Sequence, residues 1–198
     1  MANYFVISRA KPKPGYAATG LKHLKTLADF TKANGAVHCD VGAIQTGANA
    51  GSLIAAMFVE KMATIETIFD HFPDQEFYKE MFSTGNMEIT GRAIGRIHHR
   101  ESGSSDKPKY MVLTKFSSKT EMLDEAKQVM GIFMKNGALS CGYATFGAGD
   151  YAGDRVMGVR YPSLDAIQNA YEAARASEVY ASALSDVELH FRNVIRLG

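Results

Sequence analysis

The chain has 198 residues, 46% of them hydrophobic and 22% charged, the composition of a globular protein that buries a substantial core. Its 22 basic and 21 acidic residues leave a net charge of +1, so no general attraction to nucleic-acid phosphates or anionic lipid operates, and neither partner is expected. No run approaches the roughly 18 apolar residues that span a bilayer, and Met1 to Pro14 lacks an apolar secretory stretch, so a cytoplasmic location is expected.

In chain order, Tyr4 to Ser8 reads as a short apolar strand. Pro14, followed by Leu21, Leu24, Leu27 and Ala28 at helical spacing, marks an amphipathic helix that stops at Asn34-Gly35. Glycine there accepts the left-handed conformation that closes many helices. Ala36 to Ile44 and Leu53 to Val59 follow as strands, joined through the glycine- and asparagine-rich stretch Thr46 to Gly51, which reads as a hairpin connection. A second helix carries Ile65, Ile68, Phe69 and Phe72. Pro73 interrupts it, because proline lacks an amide donor and clashes with the preceding turn, and two short helices or a kink over Gln75 to Phe82 are expected. A last strand contains Arg92 to Ile97. His98 to Pro108 is polar and rich in glycine and serine, the composition of a solvated linker.

The same order then returns. Asn34-Gly35-Ala36-Val37-His38-Cys39 recurs as Asn136-Gly137-Ala138-Leu139-Ser140-Cys141, Glu76-Phe77-Tyr78 as Glu178-Val179-Tyr180, and Arg92 to Ile97 as Arg192 to Leu197. A period of about 100 residues is too long for a solenoid and signals two copies of a small domain. The boundaries expected are residues 1–98 for the first unit, 99–108 for the linker and 109–198 for the second. In the second copy Met122, Ala126, Val129, Met130 and Phe133 mark the first helix. Gly147 to Gly153 sits where a phosphate loop would, but the strand Arg155 to Arg160 follows instead of a helix, which argues against nucleotide binding. The other helix is read from Pro162-Ser163 to Leu184 and, lacking an internal proline, is expected to be straighter. Cys39 and Cys141 occupy matching apolar strand positions and read as buried thiols.

Each copy is thus strand, helix, strand, strand, helix, strand, a ferredoxin-like βαββαβ unit of the α+β class. Strands such as Leu53 to Phe58 and Met111 to Leu113 are apolar on both sides, so both sheet faces should be buried. Two tandem ferredoxin-like units packing sheet to sheet meet that requirement. In element order, strand–Asn-Gly junction and closing Arg-x-Ile/Val-x-Arg strand, nearly the whole chain resembles the dimeric α/β-barrel superfamily, here with both units on one polypeptide as an intrachain barrel. That resemblance implies a ligand held between helices and sheet within a unit. It spans cofactor-independent monooxygenases, haem-degrading and haem-binding enzymes, lactone isomerases and stress proteins, so it does not choose a reaction.

Among candidate residues, His38 and Asp40 stand two apart on a strand and share a face; the carboxylate would orient the imidazole as a general base. The same pattern suits an edge strand whose polar face meets water. Arg92, matched by Arg192, would stabilise negative charge on a substrate oxygen, or, with Arg96 and Arg196, pair with a carboxylate such as Asp40, Glu60, Glu76 or Glu178. Phe69, Phe72, Phe77, Tyr78, Tyr171 and Tyr180 are spaced to cover the sheet. Tyr78, Tyr180 and Tyr143 could present hydroxyls to a ligand. His71 is the helical histidine best placed for haem, while the chain lacks tryptophan and any HExxH or clustered Cys/His pattern.

The expected function is binding, and cofactor-independent transformation in the manner of a monooxygenase or isomerase, of a small, largely apolar organic molecule. No metal or organic cofactor is expected. A non-catalytic stress or assembly protein and a haem-binding protein are the alternatives, and self-association is left open.

Overall fold

The computed structural model describes residues 2–82 and 85–198. The first copy consists of β1 (Tyr4–Pro12), α1 (Ala17–Ala33), β2 (His38–Ile44), β3 (Leu53–Val59), α2 (Met62–His71), a 3-10 turn (Phe72–Asp74), α3 (Glu76–Phe82) and β4 (Met87–Ser102). The second repeats it as β5 (Tyr110–Ser118), α4 (Leu123–Lys135), β6 (Ser140–Gly149), β7 (Arg155–Tyr161), α5 (Leu164–Arg175), α6 (Glu178–Ser185) and β8 (Val187–Leu197). The first sheet is ordered β4–β1–β3–β2 and the second β8–β5–β7–β6, with every one of these pairings antiparallel. The chain is therefore α+β, built from two ferredoxin-like units, as expected.

The repeated Asn-Gly junction has one physical cause in both copies. Asn34 Nδ2 donates to the carbonyl of Phe30 and Asn136 Nδ2 to that of Ile132, each at 2.8 Å, so in both copies the side chain caps a carbonyl of the helix's last turn. Gly35 and Gly137 then adopt φ of +97° and +101°, which turns the chain into the next strand at low steric cost.

Two compact units emerge: residues up to Arg96 with 147–152 and 198, and residues 97–146 with 153–197. Each has its own apolar core under its helices. Leu24, Leu27, Ile65, Ile68 and Phe72 close over Val6, Ala55 and Met57 in the first; Val129, Met130, Phe133, Ala170 and Ala174 close over Val112, Met157 and Val159 in the second. Cys39 and Cys141 are buried and free, as expected, and burial pushes both thiols up to about 12. No helix among the described residues is long and apolar enough to cross a membrane.

Two expectations are corrected. Residues 99–102 of the expected linker continue β4, because their neighbourhood is only half-solvated: His98 Nε2 meets Thr145 Oγ1 at 2.8 Å and His99 Nε2 meets Glu101 Oε1 at 3.1 Å. The irregular connection is confined to the residues between Ser102 and Tyr110. The second helix of the second copy is also broken, although no proline lies within it. Ser177 adopts an extended backbone (φ −98°, ψ 130°) between α5 and α6, so α6 starts in a new direction, as α3 does after Pro73 in the first copy.

Candidate functional site

Side chains alternate across a strand, and cross-strand partners share a face. In the first unit Val6, Ser8 and Ala10 of β1 and Leu53, Ala55 and Met57 of β3 face the helices. Arg92 of β4 is paired with Ser8 and lies in the same row. Under Phe69, Phe72, Tyr78 and Phe82 this face leaves a cleft of about 520 Å³, open solvent at its mouth included. The second unit builds the same feature. Thr114 and Phe116 of β5, Met157 of β7 and Arg192 of β8, under Tyr171, Tyr180 and Leu184, enclose about 530 Å³ counted in the same way. Both clefts are mostly apolar with a few converging polar groups, the general lining of small-molecule sites.

The two arginines are held alike. Arg92 Nε donates to Ser8 Oγ at 2.9 Å, and its guanidinium carbon lies 4.8 Å from the centre of the Phe69 ring. Arg192 Nε donates to Thr114 Oγ1 at 3.3 Å, with its guanidinium carbon 4.7 Å from the centre of the Tyr171 ring. In the second unit Arg192 Nη2 also donates to the Tyr180 hydroxyl at 2.7 Å. The ring faces attract the cation without neutralising it. Among the described residues neither arginine forms a salt bridge, so the expected carboxylate pairing is replaced by a hydroxyl and an aromatic face. Each half-buried cleft thus presents a positive charge still able to take an oxygen, the condition under which guanidinium recognition of an anion or polarised carbonyl is strong. Burial raises the Tyr171 hydroxyl above the usual phenol range, with the Arg192 charge acting against it.

Of the expected site residues, Tyr78 and Arg92 line the first cleft and Tyr180 the second. His38 and Asp40 do meet, Nε2 to Oδ1 at 2.6 Å, with 42% of the His38 side chain exposed and 8% of that of Asp40. They do not join Arg92. His38 pairs with Phe58 and Asp40 with Ala56, on the sheet face turned away from the unit's helices, whereas Arg92 faces the helices. The register Arg92–Ser8–Ala55–Val41 further separates β4 from β2 by three strand spacings, about 14 Å. The expected trio of base, orienter and oxyanion group is therefore not one site.

Tyr143 is fully buried, and its hydroxyl donates to the carbonyl of Glu121, so it offers nothing to the cleft. His71 is exposed at the end of α2 and lines neither cleft. Reading the sequence did not single out Ser8, Thr114 and Glu125 as site residues. The signal for the first two was available: Tyr4-Phe5-Val6-Ile7-Ser8 aligns with Tyr110-Met111-Val112-Leu113-Thr114, and a hydroxyl is kept in both copies. Glu125, on the first turn of α4, is the one carboxylate among the described residues lining either cleft, and it stands in the second.

Comparison with solved structures shows whole-chain likeness at low identity. A candidate monooxygenase from Fusobacterium nucleatum matches with a TM-score of 0.70 and 10% identity, over 99% of this chain and 93% of that one. A candidate monooxygenase from Lactobacillus acidophilus gives 0.68 and 12%, over 100% and 94%. A chlorite dismutase variant from Candidatus Nitrospira defluvii gives 0.63 and 8%, over 100% and 91%. At these identities the likeness shows the fold and no more. No curated protein matches the chain by sequence. A family model described as "Domain of unknown function (DUF6854)" matches twice, over residues 2–97 and 108–197, so that each repeat is one copy of that domain. The chain belongs to the DUF6854 family.

Proposed function

We propose that the helix–sheet cleft of each unit binds a small, largely apolar organic molecule and seats one of its oxygen atoms on the arginine. The observation that carries this is the repeated cradle, in which an arginine with no carboxylate partner among the described residues is fixed by a hydroxyl and an aromatic ring beneath an apolar cleft. Leaving a cation half-buried and unneutralised in both copies has a cost that an oxygen ligand offsets.

The chemistry this arrangement supports best is stabilisation of an enolate or phenolate. A guanidinium already aimed at the oxygen favours the anionic form and needs no reorganisation as charge develops. That step is shared by isomerisation through an enol and by oxidation of an electron-rich phenol without a bound cofactor, and the monooxygenase names of the structural neighbours agree with it. The second unit is the better candidate for turnover, because Glu125 lines its cleft and can take a proton. The sequence pattern of His38 and Asp40 had pointed to the first unit instead. A non-catalytic binding protein would use the same cleft and differ only in lacking turnover.

Haem fits the lining poorly. Among the described residues neither cleft is lined by a histidine or cysteine, and the Tyr180 hydroxyl is bonded to Arg192.

The reading is tested by titrating chain labelled with [methyl-13C]methionine with 2-naphthol. Met57 reports on the first cleft, Met122 and Met157 on the second, and exposed Met62 serves as control. The expected result is saturable shifts of the cleft methyls, weakened by Arg92→Met for Met57 and by Arg192→Met for Met157. Shifts confined to Met62, or none, would overturn the proposal.

A further inference from the structure

The two clefts share a plan but hold their arginines in different states of engagement. A guanidinium carries five N–H donors in a rigid fork, and bidentate seating of a carboxylate needs two adjacent ones. Arg92 uses only Nε, on Ser8, and among the described residues its two terminal amino groups have no hydrogen-bond partner. Its outer edge is an open fork. Arg192 uses Nε on Thr114 and Nη2 on Tyr180, so one of its two terminal amino groups already holds a hydroxyl.

The different poses of the paired tyrosines have a cause in neighbouring substitutions. Tyr78 stacks on Phe72, with centroids 5.2 Å apart and planes 11° apart, and packs on Phe82 at 4.7 Å. In the repeat those positions are Ala174 and Leu184, so no ring draws Tyr180 away from the sheet. Tyr180 packs instead edge-on to Phe133 at 6.3 Å and reaches the arginine; the first copy has Thr31 where Phe133 stands. The Thr31 hydroxyl is already committed to the carbonyl of Ala28 at 2.9 Å, and among the described lining residues Arg92 is the cation of that cleft able to receive an anion.

We infer that the clefts have divided their ligands: the first takes an apolar carboxylate, seated bidentately on Arg92, and the second takes an uncharged oxygen, shared between Arg192 and the Tyr180 hydroxyl. This rests on the binding role proposed above and adds a ligand class to each cleft. Tyr180 then acts as the selectivity element of the second unit, since a carboxylate seated on the two terminal amino groups must compete with its hydroxyl for Nη2.

The test uses the methionine-labelled full chain with two probes of one shape, naphthalene-2-carboxylate and naphthalene-2-carboxamide. The carboxylate should shift the Met57 methyl at a concentration about tenfold or more below that needed for Met157, the scale of a charge-assisted over a neutral contact. Arg92→Gln should remove that preference while the carboxamide still shifts Met57. Tyr180→Phe, which frees the Arg192 fork and keeps the ring, should bring the Met157 response to the carboxylate within about threefold of that of Met57. If the carboxamide binds but the carboxylate shows no preference for Met57, or Tyr180→Phe leaves Met157 unresponsive, the division is wrong while cleft binding stands. If neither probe moves either methyl, the binding role fails as well.

Discussion

Removing one oxygen from Tyr180 isolates the contact that distinguishes the second unit. Tyr180→Phe keeps a buried ring against Phe133 and deletes the hydroxyl that accepts from Arg192 at 2.7 Å. A hydrogen bond to a charged partner contributes about 1.5 to 3 kcal/mol, and because Arg192 is only half-buried, water recovers part of that, leaving about 1 to 2 kcal/mol. For a chain of this length, each kcal/mol moves the melting temperature by about 2 to 4 °C, so a fall of roughly 2 to 8 °C is expected by circular dichroism. Tyr78→Phe is the internal control. Its hydroxyl makes no bond to Arg92, and the variant should lie within about 0.5 kcal/mol of the parent. A double-mutant cycle of Tyr180→Phe with Arg192→Met should return a coupling of about 1 kcal/mol. Equal losses for the two tyrosine variants, or no coupling, would refute the assignment of unequal arginine environments.

A Cβ at Gly149 would sit 2.3 Å from the Arg92 carbonyl at a φ of +96°, so Gly149→Ala should cost about 2 kcal/mol or more in urea unfolding, whereas Gly147→Ala, whose nearest atom is 3.8 Å away, should cost under about 1 kcal/mol. The buried Tyr161 hydroxyl has no hydrogen-bond partner among the described residues, and Tyr161→Phe should stabilise the chain by about 1 kcal/mol. Cys39 and Cys141 should resist iodoacetamide at pH 8 unless denaturant is present. The unfolded chain loses its thiol protons from about pH 8.5, while the folded chain keeps them to about 12, so the stability from these thiols is whole below about pH 8.5 and is lost as pH rises through that window. Urea midpoints that rise between pH 9 and 11 would contradict this.

The fold was legible because local signals and duplication agreed. The Asn-Gly junction appears twice, and each time the asparagine caps a helix and the glycine takes positive φ. Less legible was anything set by tertiary packing. The break at Ser177 carries no proline; its effect is to bring Tyr180 over Arg192, a demand that is invisible in helix propensity. His38 and Asp40 attracted attention because their spacing implies a shared face, and they do meet. Which face that is depends on register, and register sets them opposite the cleft. Arg92 was found by its repetition, but its partners were expected to be carboxylates, since charge complementarity is the easiest pairing to read. Ser8, Thr114 and two aromatic rings hold the pair instead; the repeated hydroxyl stands in the sequence, and the antiparallel pairings Ser8–Arg92 and Thr114–Arg192 set it beside the arginine.

The most direct test of the central claim is a crystal structure of the chain soaked in 2-naphthol. The ring should lie under α5 and α6 against Met157 and Phe116, with its oxygen within about 3 Å of the Arg192 guanidinium or the Tyr180 hydroxyl. Density for the probe beside His38 and Asp40, or a second cleft left empty at saturating concentration, would contradict it.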